Sequence, residues 1–127
     1  MNTNKKRILV IDDEYRFATL LKLNLEKTGT YEVRTEKEGK KGLAAAQAFK
    51  PDLILLDLIM PDIDGGSVAA QIKAVEETRH TPILFLTAVM TKEETQQQGG
   101  TLSGYPCIPK PVSPEEISAV IEKYLGR

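Results

Sequence analysis

The stretch Arg7-Ile8-Leu9-Val10-Ile11-Asp12-Asp13 is apolar without alternation and then abruptly acidic. A strand with one wet face alternates apolar and polar residues, whereas a strand covered on both faces does not. Residues 7–12 therefore read as a strand inside a two-sided sheet, delivering carboxylates at its C-terminal end. Asp52-Leu53-Ile54-Leu55-Leu56-Asp57 repeats the pattern and ends in one acid. Pro82-Ile83-Leu84-Phe85-Leu86-Thr87-Ala88 ends in a hydroxyl, and Cys107-Ile108-Pro109-Lys110-Pro111 ends in an ammonium. With residues 31–35, the predicted strands cover 7–12, 31–35, 52–57, 82–87 and 105–108.

Helix-period segments lie between these runs. Phe17, Leu20, Leu21 and Leu25 mark the apolar face of a first helix, stopped by Gly29. Leu43, Ala46 and Phe49 mark a second, ended before Pro51, and Val68, Ile72 and Val75 a third. Ile117, Val120, Ile121 and Tyr124 mark the last, which Ser113-Pro114-Glu115-Glu116 opens with an N-cap hydroxyl, Pro at N1 and Glu at N3. One segment breaks the pattern. Thr91-Lys92-Glu93-Glu94 offers a capping box, yet residues 91–100 hold no apolar side chain and finish in Gly99-Gly100. A helix polar all round has little to dock it on a core. The expectation is a short, loosely held fourth helix, with a well-formed exposed helix as the alternative. Strand–helix alternation predicts an α/β fold, a doubly wound parallel sheet with helices on both faces; the expected arrangement is five strands in order 2-1-3-4-5 with five helices.

The 127 residues fit one domain spanning 1–127, with its core over about 6–125. Seventeen basic and eighteen acidic residues nearly cancel, which leaves no electrostatic case for a nucleic-acid or membrane surface. Met1 is followed by no signal-peptide pattern, and the single Cys107 cannot form an internal disulfide, so a cytoplasmic location is expected.

In an open α/β sheet, ligands sit beyond the carboxyl ends of the strands where strand order reverses. Asp12, Asp13 and Asp57 would share that cleft. Two unit charges ~4 Å apart interact by about 4 kcal/mol at an effective dielectric near 20. The cluster must therefore either hold protons or bind a cation. An oxygen-only site with water access suits Mg²⁺, and no Cys or His joins it to favour zinc. Lys110 and Thr87 make sense if a further anion arrives. A carboxylate can attack phosphorus to give an aspartyl phosphate, whose oxygens then need a cation and hydrogen-bond donors. Asp57, alone at its strand end, is the candidate nucleophile. Taken singly, each residue has a plainer explanation: the acids as turn or helix caps, Thr87 as a strand terminus, Lys110 as a surface charge. The joint pattern of acid pair, acid, hydroxyl and amine at successive strand ends is what favours a site.

These residues resemble the receiver domain of two-component response regulators. The likeness runs from about Lys6 to Leu125 and rests on Asp12-Asp13, on Leu55-Leu56-Asp57-Leu58-Ile59-Met60-Pro61-Asp62-Ile63-Asp64-Gly65, on Leu86-Thr87-Ala88 and on Lys110-Pro111. It implies a flavodoxin-like fold and a phosphoacceptor switch in which Asp57 takes a phosphoryl group from the phosphohistidine of a histidine kinase or phosphotransfer domain. By the same resemblance Asp13, Asp57 and the Ile59 backbone carbonyl bind Mg²⁺ directly, while Asp12 acts mainly through water. Thr87, Ala88 and Lys110 stabilise the phosphoryl group and couple it to conformational change. The Lys110–Pro111 peptide is expected to be cis. Output would leave through the face of the fourth helix, fifth strand and fifth helix, with no nucleic-acid or membrane contact by this domain. Ile59 and Val89 stand at positions that tune water attack in this family. Both are apolar here, so the phosphorylated form should not be exceptionally short-lived.

One departure stands out. The family usually carries Tyr or Phe three residues before the lysine, and here that position is Cys107. Tyr105 lies two residues earlier, on the same face of a regular strand, with Pro106 marking an edge strand. Three possibilities stay open: Tyr105 substitutes through a local bulge, signalling runs through other movements such as ordering of 91–100, or output depends little on phosphorylation. Cys107 itself reads as a small buried hydrophobe. His80 reads as an exposed loop residue, and Lys37, Lys40 and Lys41 as the solvated face of the second helix. Gly65-Gly66 reads as turn freedom before the third helix. An aspartyl-nucleophile phosphatase is the enzymatic alternative, but such enzymes want a second acid at the position of Ile59. A phosphorylation-independent interaction module is the other. The chain ends at Arg127, soon after the last helix, which fits either a free-standing regulator or a piece of a longer regulator or sensor kinase.

Overall fold

The computed structural model describes residues 5–88, 101–102 (backbone only), 104–110 and 112–125. Strand β1 spans Lys6–Ile11, β2 Tyr31–Glu36, β3 Leu53–Asp57, β4 Ile83–Thr87, β5 Thr101–Leu102 and β6 Tyr105–Pro109. Helix α1 spans Tyr15–Lys27, α2 Gly42–Phe49, α3 Gly65–Ala74 and α4 Pro114–Leu125. The sheet order is β2-β1-β3-β4-β6-β5. Its five main strands are parallel and follow the expected order. The addition is β5, which pairs antiparallel outside β6 through Thr101↔Pro106 and Leu102↔Tyr105. The strand carrying Pro106 is thus not the outermost one, contrary to the sequence reading. The expected polar helix with its capping box and Gly99-Gly100, Val89, and the Pro111 cis peptide lie outside the described residues.

Alternate residues of the central strands supply two cores. Ile8, Val10, Leu53, Leu55, Leu84 and Leu86 face Ala18, Leu21 and Leu25 of α1 and Ile117 and Ile121 of α4. Leu9, Ile11, Ile54, Leu56, Ile83 and Phe85 face Ala45 and Ala46 of α2 and Val68, Ala69 and Ile72 of α3. Burying a side chain of this size contributes roughly 1.5–3 kcal/mol, and β3 and β4 are buried at every position, on both faces.

Local chemistry sets the element ends. Gly29 at φ +80° and Thr28 end α1. Lys50 takes a left-handed conformation (φ 54°) to stop α2 before Pro51. The predicted capping box of α4 forms: Ser113 N–H donates to Glu116 Oε1 at 3.0 Å and Glu116 N–H donates to Ser113 Oγ at 3.1 Å. Asp64 caps α3 by accepting from Ser67 N–H at 2.8 Å. Leu20 departs from expectation. It is 55% exposed, because the buried face of α1 runs through Ala18, Leu21 and Leu25. Lys40 and Lys41 sit in a 3₁₀ turn (Gly39–Lys41) ahead of α2 and Lys37 in the loop before it, so none belongs to the helix as predicted. His80 is exposed, as expected. No described helix is long and apolar enough to cross a membrane.

Candidate functional site

Parallel pairing carries the chemistry to one rim. Ile11 pairs with Leu56, Asp57 with Leu86 and Thr87 with Pro109. Hydrogen bonds extend this register one residue past each strand: Asp12 N–H to Glu36 O (3.0 Å), Leu58 N–H to Leu86 O (2.8 Å) and Lys110 N–H to Thr87 O (2.7 Å). Single carboxylate oxygens of Asp12, Asp13 and Asp57 all lie within 4.8 Å of one another. Asp12 and Asp57 are buried and Asp13 is exposed.

Each acid has a different environment. Asp12 Oδ1 accepts the Glu14 N–H at 2.9 Å and Asp12 Oδ2 accepts from Lys110 Nζ at 2.8 Å, so both oxygens are engaged. Glu14, not Asp12 or Asp13, is the N-cap of α1, and Asp12 supports it through that two-residue turn. The Asp57 carboxyl is pushed up to about 7, by burial first and the Asp12 charge next; the Lys110 charge opposes both, and a hydrogen bond with Asp13 adds to the rise. Close carboxylates that cannot all ionise share protons in this way. Burial lowers the Lys110 ammonium, but its hydrogen bonds to Asp12 and Glu14 outweigh that and leave it raised.

The loop after Asp57 is braced from two sides. Gly65 N–H donates to Leu58 O at 2.7 Å. A Cβ on Gly65 would stand 2.4 Å from Asp57 O and 2.8 Å from Leu58 Cα, so the glycine permits close approach of backbones. The turn freedom expected from the sequence is not its role, since among the described glycines only Gly29 and Gly104 have positive φ. Asp62 accepts the Lys40 N–H at 2.9 Å and the Gly39 N–H at 3.3 Å, tying this loop to the turn before α2. Ile59 is exposed, and its N–H reaches Asp57 Oδ1 at 3.4 Å.

Thr87 is fully buried at the end of β4. Ala88 is exposed and lines an open pocket with Glu14, Phe17, Lys110 and Val112. Cys107 is buried in the core beneath α2 and α3, with its thiol raised by burial. Tyr105 packs against the same core, its ring edge-on to Phe85 at 5.3 Å and 77°. Cys107, Ile108 and Pro109 pair one to one with Phe85, Leu86 and Thr87, leaving no bulge in that stretch. Two residues of the site escaped the sequence reading. Glu14 accepts a hydrogen bond from Lys110 Nζ, and the Phe17 ring centroid lies 4.6 Å from that ammonium. The available signal for Glu14 was its place as a third consecutive acid.

Residues 8–122 match the family model of the response regulator receiver domain. The chain belongs to this family. It is 40% identical over 122 residues to the alkaline phosphatase synthesis transcriptional regulatory protein PhoP of Bacillus subtilis, covering 96% of this chain and 49% of that protein. The chain therefore spans about half the length of such relatives. It is 34% identical to the polar-differentiation response regulator DivK of Brucella ovis, covering 95% of this chain and 97% of that one. Among solved structures, the chemotaxis protein CheY4 of Vibrio cholerae superposes with a TM-score of 0.79 at 28% identity, over 94% of this chain and 98% of that chain. The receiver domain of a sensor histidine kinase from Pseudomonas aeruginosa, with a magnesium ion coordinated in its active site cleft, has a TM-score of 0.79 at 25% identity, covering 97% and 99%. The likeness confirms the receiver fold and the role in two-component signalling expected of it.

Proposed function

We propose that this receiver domain is a Mg²⁺-dependent phosphoacceptor switch. Asp57 takes the phosphoryl group from the phosphohistidine of a histidine kinase or phosphotransfer domain. The observation that carries this reading is the packing of Asp12, Asp13 and Asp57 within 4.8 Å, with the Lys110 ammonium on Asp12. An Asp57 oxygen attacks phosphorus, the P–N bond breaks, and its electron pair returns to the imidazole nitrogen, which then regains a proton.

The donor set fits a hard divalent cation: oxygen only, two members buried, and a carboxyl on Asp57 that ionises reluctantly without one. Asp13, Asp57 and the Ile59 carbonyl would hold it. Asp12, with both oxygens already engaged, would act through water. The ion supplies charge that keeps Asp57 ionised and offsets the phosphoryl oxygens. Lys110 and the Thr87 hydroxyl serve the remaining oxygens, and Ala88 leaves room for them. The domain catalyses only its own phosphorylation and dephosphorylation, and works in the cytoplasm. Output leaves through the face that includes β6 and α4. Cys107 and Tyr105, set in the core against Phe85, replace the usual inward-swinging aromatic in that face.

Acetyl phosphate with Mg²⁺ tests the reading. One phosphoryl group should be gained, as read by mass spectrometry, and lost in Asp57→Asn. A folded protein that gains none would instead be an interaction module working without phosphate.

A further inference from the structure

We propose that Glu14 is a positioning residue that competes with the arriving phosphoryl group for Lys110. This rests on the reading of Asp57 as phosphoacceptor. The Lys110 ammonium has three N–H donors. One goes to Asp12 Oδ2 and a second to Glu14 Oε1, while the Phe17 ring closes another side. With two donors and one side of the ammonium taken, an anion on Asp57 has to compete with these partners for the cation.

The two carboxylates are not equally easy to leave. The Asp12 side chain is 0% exposed and the Glu14 side chain 58% exposed. A buried carboxylate stripped of its cation has no water to replace it. An exposed one rehydrates at once, and such pairs are weak. The Lys110–Glu14 bond is thus the exchangeable one. In the resting protein Glu14 holds one of the three donors and offsets the Lys110 charge with its own. It holds Lys110 toward α1 until the stronger phosphoryl anion displaces it.

The test compares Glu14→Gln with the unmodified protein at saturating Mg²⁺. Two readouts serve: the rate of phosphoryl uptake from acetyl phosphate, and the affinity for beryllofluoride, followed by NMR shifts of backbone amides. Losing an exposed competing charge should speed uptake and tighten beryllofluoride binding by about threefold. Both gains should vanish when the substitution is made on a Lys110→Gln background, since the effect acts through Lys110. Uptake by the unmodified protein with no change in Glu14→Gln overturns the inference alone. So does a gain that persists in the Lys110→Gln background, which would mean simple repulsion of the incoming anion. No uptake by the folded, unmodified protein overturns the reading of Asp57 and this inference together.

Discussion

Lys110 Nζ lies 2.8 Å from Asp12 Oδ2, a contact across 98 residues of sequence. It joins the ends of β6 and β1, between which the sheet places β3 and β4. Neighbouring strands lie about 4.8 Å apart, so the lysine reaches over two strand ends. Those strands finish in Asp57 and Thr87. One side chain thereby brings the four ends into a common electrostatic unit.

Lys110→Met should expose the dependence of Asp12 on that cation. Removing one partner of a buried pair leaves the other charged and unsolvated, at a cost of about 3 kcal/mol. Urea unfolding at pH 8 in chelator should show this loss. Added Mg²⁺ should shrink the difference, because a second cation then serves the same acids.

Asp57 gives the stability a definite pH slope. Its folded-state value of about 7 stands above the ordinary 3.8, through burial and then Asp12. Between those values the folded state holds more protons than the unfolded chain, so stability falls as pH rises from about 4 to about 8. Asp57→Asn should flatten that slope and stabilise the metal-free protein at pH 8, by on the order of 2 kcal/mol. Mg²⁺ should stabilise the unmodified protein more than the variant. Thermal melts across the pH range, with and without the ion, check both statements.

Gly65→Ala should be costly for a steric reason. Its Cβ would meet backbone atoms of Asp57 and Leu58, which cannot move aside as a flexible side chain would. Overpacking of this kind costs about 2 kcal/mol. A urea titration should show the loss, and NMR shifts should show perturbation at Leu58 and Ile59.

Cys107 should behave as core. A thiol-reactive dye at pH 8 should label the native protein at least about a hundredfold more slowly than the urea-unfolded chain, since burial both shields the thiol and raises it. Cys107→Tyr, which restores an aromatic at that position, should destabilise by about 1–3 kcal/mol, because Phe85 and Tyr105 already fill the neighbourhood. Equal or greater stability in the variant would show that the pocket has room for the ring.

The sheet was legible because β1, β3 and β4 are covered on both faces, and such strands write themselves as unbroken apolar runs. Strand–helix alternation indicated a doubly wound parallel sheet, and convergence of Asp12, Asp13, Asp57 and Lys110 followed once its order was taken as 2-1-3-4-5. Leu20 was misread because neighbouring leucines both satisfy a 3.6-residue period, and only packing selects Leu21. The close approach at Gly65 was read as turn freedom, since a sequence shows the missing side chain but not what fills its place. Glu14 and Phe17 were invisible as site residues because their contact with Lys110 depends on where two loops end. Thr101–Leu102 is too short to carry any periodicity, so β5 left no trace.

That two-residue strand has a consequence for self-association. By lying antiparallel along β6, it occupies part of the outer margin of the sheet with the chain's own backbone. Pro106, facing Thr101 there, has no amide hydrogen to offer in any case. A foreign strand seeking to pair with β6 itself at these residues would have to displace β5 first and would gain little from Pro106, so β6 is covered there against edge-to-edge pairing.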